Sequence, residues 1–174
     1  FMRILLTGAT GYIGGRLLPR LLEEGHSVRV LVRDRKRAEG KPWASRVEIF
    51  EGDLLDGSTL GPALESIETA FYLVHSMSST GDFAAADREA ANNFVSLGQS
   101  LQHVVYLGGL MPQGPASEHL ESRAEVGEIL RAGLPTTEFR AGPIIGSGSA
   151  SFEMVRYVCE RFPLMLAPRV SITP

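Results

Sequence analysis

The hydrophobic pattern of this chain changes period again and again. Residues 3–7, RILLT, form a short apolar run of strand length. Over residues 12–24, Ile13, Leu17, Leu18, Leu21 and Leu22 recur at helical spacing, and Gly25 follows as a stop signal. Pro19 falls inside that stretch. The carbonyl it crowds belongs to Gly15, where few atoms stand nearby, so a kinked but continuing helix is expected. Residues 27–33 give a second strand, SVRVLVR, and residues 36–45 a polar connection with room for one helical turn. The reading then runs strand (47–52), short helix (58–66), strand (68–74) and the longest helix (82–101). That helix carries the stripe Phe83, Ala86, Ala90, Phe94, Leu97 and Leu101. A fifth strand (103–109), a helix (118–131) stopped by Gly133 and Pro135, a sixth strand (136–142) and a helical repeat over 151–162 complete the pattern.

Strands alternating with helices imply βαβ units, and right-handed crossovers then give a mostly parallel sheet covered on both faces. The strands lack clean alternation, as expected when both faces are buried. The predicted fold class is α/β, a Rossmann-type doubly wound parallel sheet in the order 3-2-1-4-5-6. Residues 1–150 read as the dinucleotide-binding domain and 151–174 as the start of a substrate-side segment.

Composition narrows the function classes. The 174 residues are 44% hydrophobic and 21% charged, with a formal net charge of −3. Such a balance leaves no electrostatic footprint for nucleic acid. No apolar run approaches the roughly 18 residues that a membrane span needs, and no signal peptide is read before the first strand. The single cysteine, Cys159, fits a reducing compartment, so a cytoplasmic location is expected. His26, His75, His103 and His119 are scattered without metal-ligand spacing, and no metal site is predicted.

The candidate chemistry begins at LLTGATGYIGG. Gly8, Gly11 and Gly14 stand at three-residue intervals between the first strand and the first helix. Gly8 permits a tight turn, Gly11 lets main chain approach a pyrophosphate, and Gly14 lets the helix pack close to the sheet. Thr10, Tyr12 and Ile13 complete the loop and first turn, where unpaired amides and the helix dipole favour an anion. The second strand ends in Val32-Arg33-Asp34, with Arg35, Lys36 and Arg37 behind it. A guanidinium here suits the 2′-phosphate of NADP, whereas Asp34 suits the ribose of NAD; Arg33 makes NADP the expected cofactor, with NAD as the alternative. Asp53 and Leu54, after the third strand, are placed beside the adenine, although an N-cap role for an acid in GDLLD is the competing reading. Val74, His75 and Ser76, at the end of the fourth strand, are expected near the ribose.

TGATGYIGG, LVRD, GDLLD, VVYLGG and FRAGPIIG, in this order, resemble the short-chain dehydrogenase/reductase superfamily, and more narrowly its atypical, extended NmrA-like members. The resemblance spans nearly the whole chain. It implies NAD(P) binding and a C-terminal substrate domain of which this chain lacks most. Active members of that superfamily carry a Tyr-x-x-x-Lys pair after the fifth strand, and a Ser or Thr at that strand's end. Here the strand ends in Leu107-Gly108-Gly109-Leu110, and the helix reads HLESR. His119 and Arg123 keep the i, i+4 relation and are the candidate catalytic pair. Histidine can move a proton near neutral pH, and arginine stays charged to hold an oxygen or a phosphate. Tyr106 reads as core packing, and Ser147, Ser149 and Ser151 as either substrate-side hydroxyls or helix caps.

Two functions follow. The first is an NADP-dependent oxidoreductase acting on a small carbonyl or hydroxyl substrate. The alternative is a non-catalytic NAD(P)H-binding sensor or assembly factor. A sugar-nucleotide epimerase ranks below both, because the tyrosine is missing. The long fourth helix also resembles one that dimerises in relatives, while its stripe fits ordinary core packing equally well.

Overall fold

The computed structural model describes residues 1–75 and 82–162. Six strands form one sheet: β1 (Arg3–Thr7), β2 (Ser27–Val32), β3 (Glu48–Glu51), β4 (Thr69–Tyr72), β5 (His103–Gly109) and β6 (Thr136–Ala141). Every neighbouring pair is parallel, and the order is β3-β2-β1-β4-β5-β6, as the alternation predicts. The helices are α1 (Tyr12–Glu23), α2 (Lys36–Glu39), α3 (Gly57–Leu64), α4 (Phe83–Leu97), α5 (Glu118–Gly133) and α6 (Ala150–Arg161). The chain divides into two compact units between Ala141 and Gly142. The sheet with α1 to α5 lies in the first unit and α6 in the second.

Two apolar layers sandwich the sheet, because successive strand side chains point to opposite faces. Ile4, Leu6 and Val30 meet Leu18 and Leu21 of α1, with Trp43 beside them. On the other face Leu5, Tyr72, Val104 and Tyr106 meet Leu60 of α3, Phe94 of α4 and Leu130 of α5. Tyr72 sits edge-on to Phe94, with centroids 5.1 Å apart, and edge-on to Tyr106 at 5.9 Å. Burying a side chain such as Phe94 contributes roughly 2–3 kcal/mol.

The elements depart from the sequence expectation at their ends, each time for a local reason. The fourth helix stops at Leu97 rather than Leu101. Gly98 caps it, donating to the Phe94 carbonyl at 2.8 Å, and a Cβ at Gly98 would lie only 2.6 Å from that oxygen. The Leu101 amide then bonds to Gly98, and Leu101 turns into the core from outside the helix. The fourth strand ends at Tyr72 instead of Val74, because the Leu73 amide leaves the ladder for the Thr7 hydroxyl. Helix α1 runs through Pro19 without interruption. Asp56 supplies the N-cap of α3 by accepting from the Ser58 amide at 3.0 Å.

Candidate functional site

The glycine loop is anchored at Thr7. Its buried hydroxyl donates to the Phe71 carbonyl at 3.1 Å and accepts from the Leu73 amide at 3.0 Å, tying the ends of β1 and β4 together. The chain then turns at Gly8, whose φ of +74° is one that side chains rarely adopt; a Cβ there would also press on the Leu73 carbonyl oxygen at 3.1 Å. The Gly11 amide closes the turn onto the Gly8 carbonyl at 3.0 Å. Gly14, in the first turn of α1, is buried against this corner. A Cβ on it would strike the Gly8 carbonyl oxygen and lie 2.8 Å from Ala9 Cα. Gly11 is the N-cap of α1 and brings no side-chain cap, so the opening amides at Tyr12 and Ile13 receive no side-chain oxygen from it. A bare, positively polarised main-chain corner is what an anionic bridge between two nucleosides requires.

This corner opens onto a cavity of about 520 Å³ at the carboxyl ends of the strands. Gly8, Thr10 and Gly11 line it from the loop, Arg33 from beyond β2, Asp53 and Leu54 from beyond β3, and Val74 and His75 from beyond β4. Eight of the residues singled out from sequence are thus brought to one place. Tyr12, Ile13 and Gly14 stand just behind, at the start of α1. Ser76 lies outside the described residues.

The basic run sorts itself by geometry. Arg35 turns away, pairing with Glu39 at 3.0 Å and donating to the Ile49 carbonyl at 2.8 Å. Arg33 and Arg37 both line the cavity. Asp34 also lines it, with one carboxylate oxygen taken by the Lys36 amide at 2.9 Å. Asp53 closes a local turn by accepting from the Leu55 amide at 3.0 Å, while its own amide donates to Thr59 Oγ1 at 3.1 Å. The Leu54 carbonyl accepts from Asn93 of α4 at 3.1 Å, which fixes the strand-to-helix corner.

The far end of the cavity is lined by the end of β4 and by α4, and α5 packs beside α4. One terminal nitrogen of Arg123 lies 3.4 Å from Nδ1 of His75. Packing around the His75 ring, and next the Arg123 guanidinium, push its pKa below the ordinary histidine value; Asp87 pulls the other way. His119 is exposed, with its ring stacked on Phe83 at 4.2 Å between centroids. So α5 sends its two singled-out side chains to different partners: Arg123 to His75 at the rim, His119 to an aromatic face on α4. Neither lines the cavity itself. Tyr106 is core, as its place inside β5 suggests. Its hydroxyl donates to the Arg123 carbonyl at 2.9 Å, and burial pushes its pKa up to about 12.

Sequence reasoning missed Asp87. It is buried on α4, lines the cavity and accepts from Ser122 of α5 at 3.1 Å. The available signal was an acid set among Phe83, Ala90, Ala91 and Phe94 on the apolar side of α4, which at 15 residues is shorter than the 16-residue α5 and not the longest helix that the sequence suggests. The Thr7 hinge was missed as well, being an unremarkable strand-end residue in the sequence. In the second unit, Ser149 proves to be the cap of α6, accepting from the Phe152 amide at 3.2 Å and donating to the Ile144 carbonyl at 2.5 Å.

The strand order and the glycine corner define a Rossmann-type α/β protein. Residues 2–146 match the NmrA-like family, and the chain belongs to that family, an atypical branch of the short-chain dehydrogenase/reductase superfamily. Over 92 residues it is 28% identical to the 3 beta-hydroxysteroid dehydrogenase/Delta 5-->4-isomerase of Mycobacterium tuberculosis, a stretch covering 53% of this chain and 24% of that protein. Over 68 residues it is 40% identical to the photosystem II assembly factor Ycf39 of a Synechocystis species, covering 38% of this chain and 20% of that protein. The structure of Citrobacter sp. triphenylmethane reductase complexed with NADP(H) superposes with a TM-score of 0.65 at 20% identity, over 79% of this chain and 48% of that one. That likeness speaks for the fold. The chain thus matches about a quarter or less of these two curated relatives and about half of the solved neighbour.

Proposed function

We propose that this chain is the cofactor-binding part of an NADP-dependent oxidoreductase acting on a small carbonyl or hydroxyl substrate. The observation that supports it most is the cradle at Gly8, Gly11 and Gly14. Added methyl groups at Gly8 and Gly14 would collide with backbone, and the main chain is left bare beside a cavity of suitable size for a nucleotide. Gly8 and Gly11 seat the pyrophosphate, and Asp53 and Leu54 border the adenine. Arg33 and Arg37 take the 2′-phosphate, because both line the cavity while Arg35 is committed to Glu39. Val74 and His75 border the nicotinamide ribose. A nicotinamide cofactor held here would supply the hydride chemistry. His119 or an ordered water moves the proton, and Arg123 holds charge at the substrate end. The mycobacterial relative, named as a dehydrogenase, and the neighbour solved with NADP(H) agree with this class.

A second reading has its own support. The end of β5, Leu107-Gly108-Gly109, offers no hydroxyl, the Tyr-x-x-x-Lys pair is absent, and one relative is named as an assembly factor. On this reading the same cavity holds NAD(P)H without turnover, and occupancy is passed to a partner.

Titration of NADPH and NADH into wild type and Arg33→Ala tests the cofactor assignment. Loss of the guanidinium is expected to weaken NADPH roughly tenfold, about 1.4 kcal/mol, and NADH less than about twofold. Equal losses for the two cofactors would remove Arg33 from its role. A screen of carbonyl substrates then separates the two readings: turnover supports the enzyme, and tight NADPH binding without turnover supports the sensor.

A further inference from the structure

Two arginines among the described residues are not exposed, Arg29 and Arg123, and they differ in whether a carboxylate pairs with them. Arg29 pairs with Glu48 at 2.9 Å and donates to the carbonyls of Pro62, Ala63 and Glu65. Arg123 has no carboxylate within ion-pairing distance among the described residues. Its Nε is buried with no hydrogen-bond partner, and one terminal nitrogen has only the imidazole Nδ1 of His75 at 3.4 Å. Leu120 and Arg123 cover the end of β5: a Cβ on Gly109 would lie 2.7 Å from Leu120 Cδ2, 3.7 Å from Arg123 Cδ and 3.9 Å from one terminal nitrogen.

Arg123 is half-buried, with its Nε shut off from water and its terminal nitrogens at an exposed contact, and an anion supplied by a ligand would complete its hydrogen bonding. The planar fork of a guanidinium matches a carboxylate through two parallel hydrogen bonds. Among the described residues its side-chain partner is His75, whose positive charge Arg123 itself disfavours, so no paired cations favour a phosphate dianion there. We propose that Arg123 is the receptor for a carboxylate on the substrate, so that the site takes small carboxylic acids. This rests on the oxidoreductase reading and names its substrate class. Asp87, bonded to Ser122, acts on His75 in the opposite sense to Arg123 and raises its pKa.

Oxamate, a small carboxylate that accepts no hydride, and oxamide, its uncharged match, are the probes. Each is titrated into wild type, Arg123→Gln and Arg123→Lys, with and without saturating NADPH. Oxamate is expected to bind wild type at least about tenfold more tightly than oxamide, and Arg123→Gln to lose that preference while holding NADPH within about twofold. Arg123→Lys keeps the charge without the fork and should fall between the two, which also serves if the glutamine variant does not fold. Oxamate should raise the His75 pKa followed by NMR in wild type, because it neutralises the guanidinium; the remaining charged and titratable neighbours, Asp87 and His119, are unchanged between the two states. A purely structural Arg123 would not produce that shift. Equal binding of oxamate and oxamide, retention of oxamate by Arg123→Gln, or a tenfold loss of NADPH in that variant would each overturn the proposal. Should wild type bind no NADPH, the oxidoreductase reading fails separately, and the titrations without cofactor still decide whether Arg123 receives a carboxylate.

Discussion

At the scale of single residues, His75 is the group whose behaviour can be worked out with a sign. Packing around its ring and the nearby Arg123 guanidinium depress its pKa in the folded chain. The unfolded chain, with an ordinary value near about 6.5, therefore takes up the proton first as the pH falls. Stability is unaffected by this group above that pH, then declines as the pH drops, until the folded ring itself titrates. Melting curves between pH 7.5 and 5 should show a steeper acid loss for wild type than for His75→Asn; parallel curves would detach the ring from that loss. His75 was legible in the sequence as a strand-end residue, and so were Arg33 and Asp53, because the end of a parallel strand faces the cavity whatever its side chain. Asp87 was not, because a helical stripe marks which face is buried but says nothing about a polar residue buried with it. Nor was the direction of Arg123: helical spacing placed it on one face with His119, while the rotamers sent one to β4 and the other to Phe83.

At the scale of elements, strand and helix positions followed from hydrophobic period, and their ends from hydrogen bonds that period does not encode. Thr7 and Gly98 set two of those ends, one by diverting an amide from a ladder, the other by leaving a carbonyl uncrowded. Arg29 does comparable work between elements. It rises from β2 and gathers three carbonyls at the C-terminal end of α3, while Glu48 of β3 balances its charge. In the sequence it is only the polar member of an alternating strand, SVRVLVR. Arg29→Met keeps much of the apolar stem but leaves these carbonyls and a carboxylate without their donor. Unfolding in urea should show a loss of about 2–4 kcal/mol, with α3 the first segment to lose amide protection from hydrogen exchange. A loss below about 1 kcal/mol would mean that water replaces the guanidinium at the helix end without penalty.

At the scale of the molecule, the question is what the first unit can do by itself. Both apolar clusters are drawn from residues between Ile4 and Leu134, and the whole cavity lining lies between Thr7 and Ala90. The sixth strand closes this set by pairing with β5 as far as Gly109 and Ala141, next to the division at Ala141. The core and the cavity are therefore drawn from the same stretch, and on the proposed reading that stretch folds and binds the nucleotide by itself. Residues 1–141, expressed alone, should unfold in one cooperative step and bind NADPH within about threefold of the 174-residue chain, a difference of under about 1 kcal/mol. The Arg33→Ala change should weaken NADPH in both lengths by the same factor, since its effect is confined to the cavity. A short form that melts without cooperativity would place part of the core beyond Ala141. A short form that folds yet binds NADPH tenfold more weakly would instead assign a direct hold on the cofactor to the residues that follow β6.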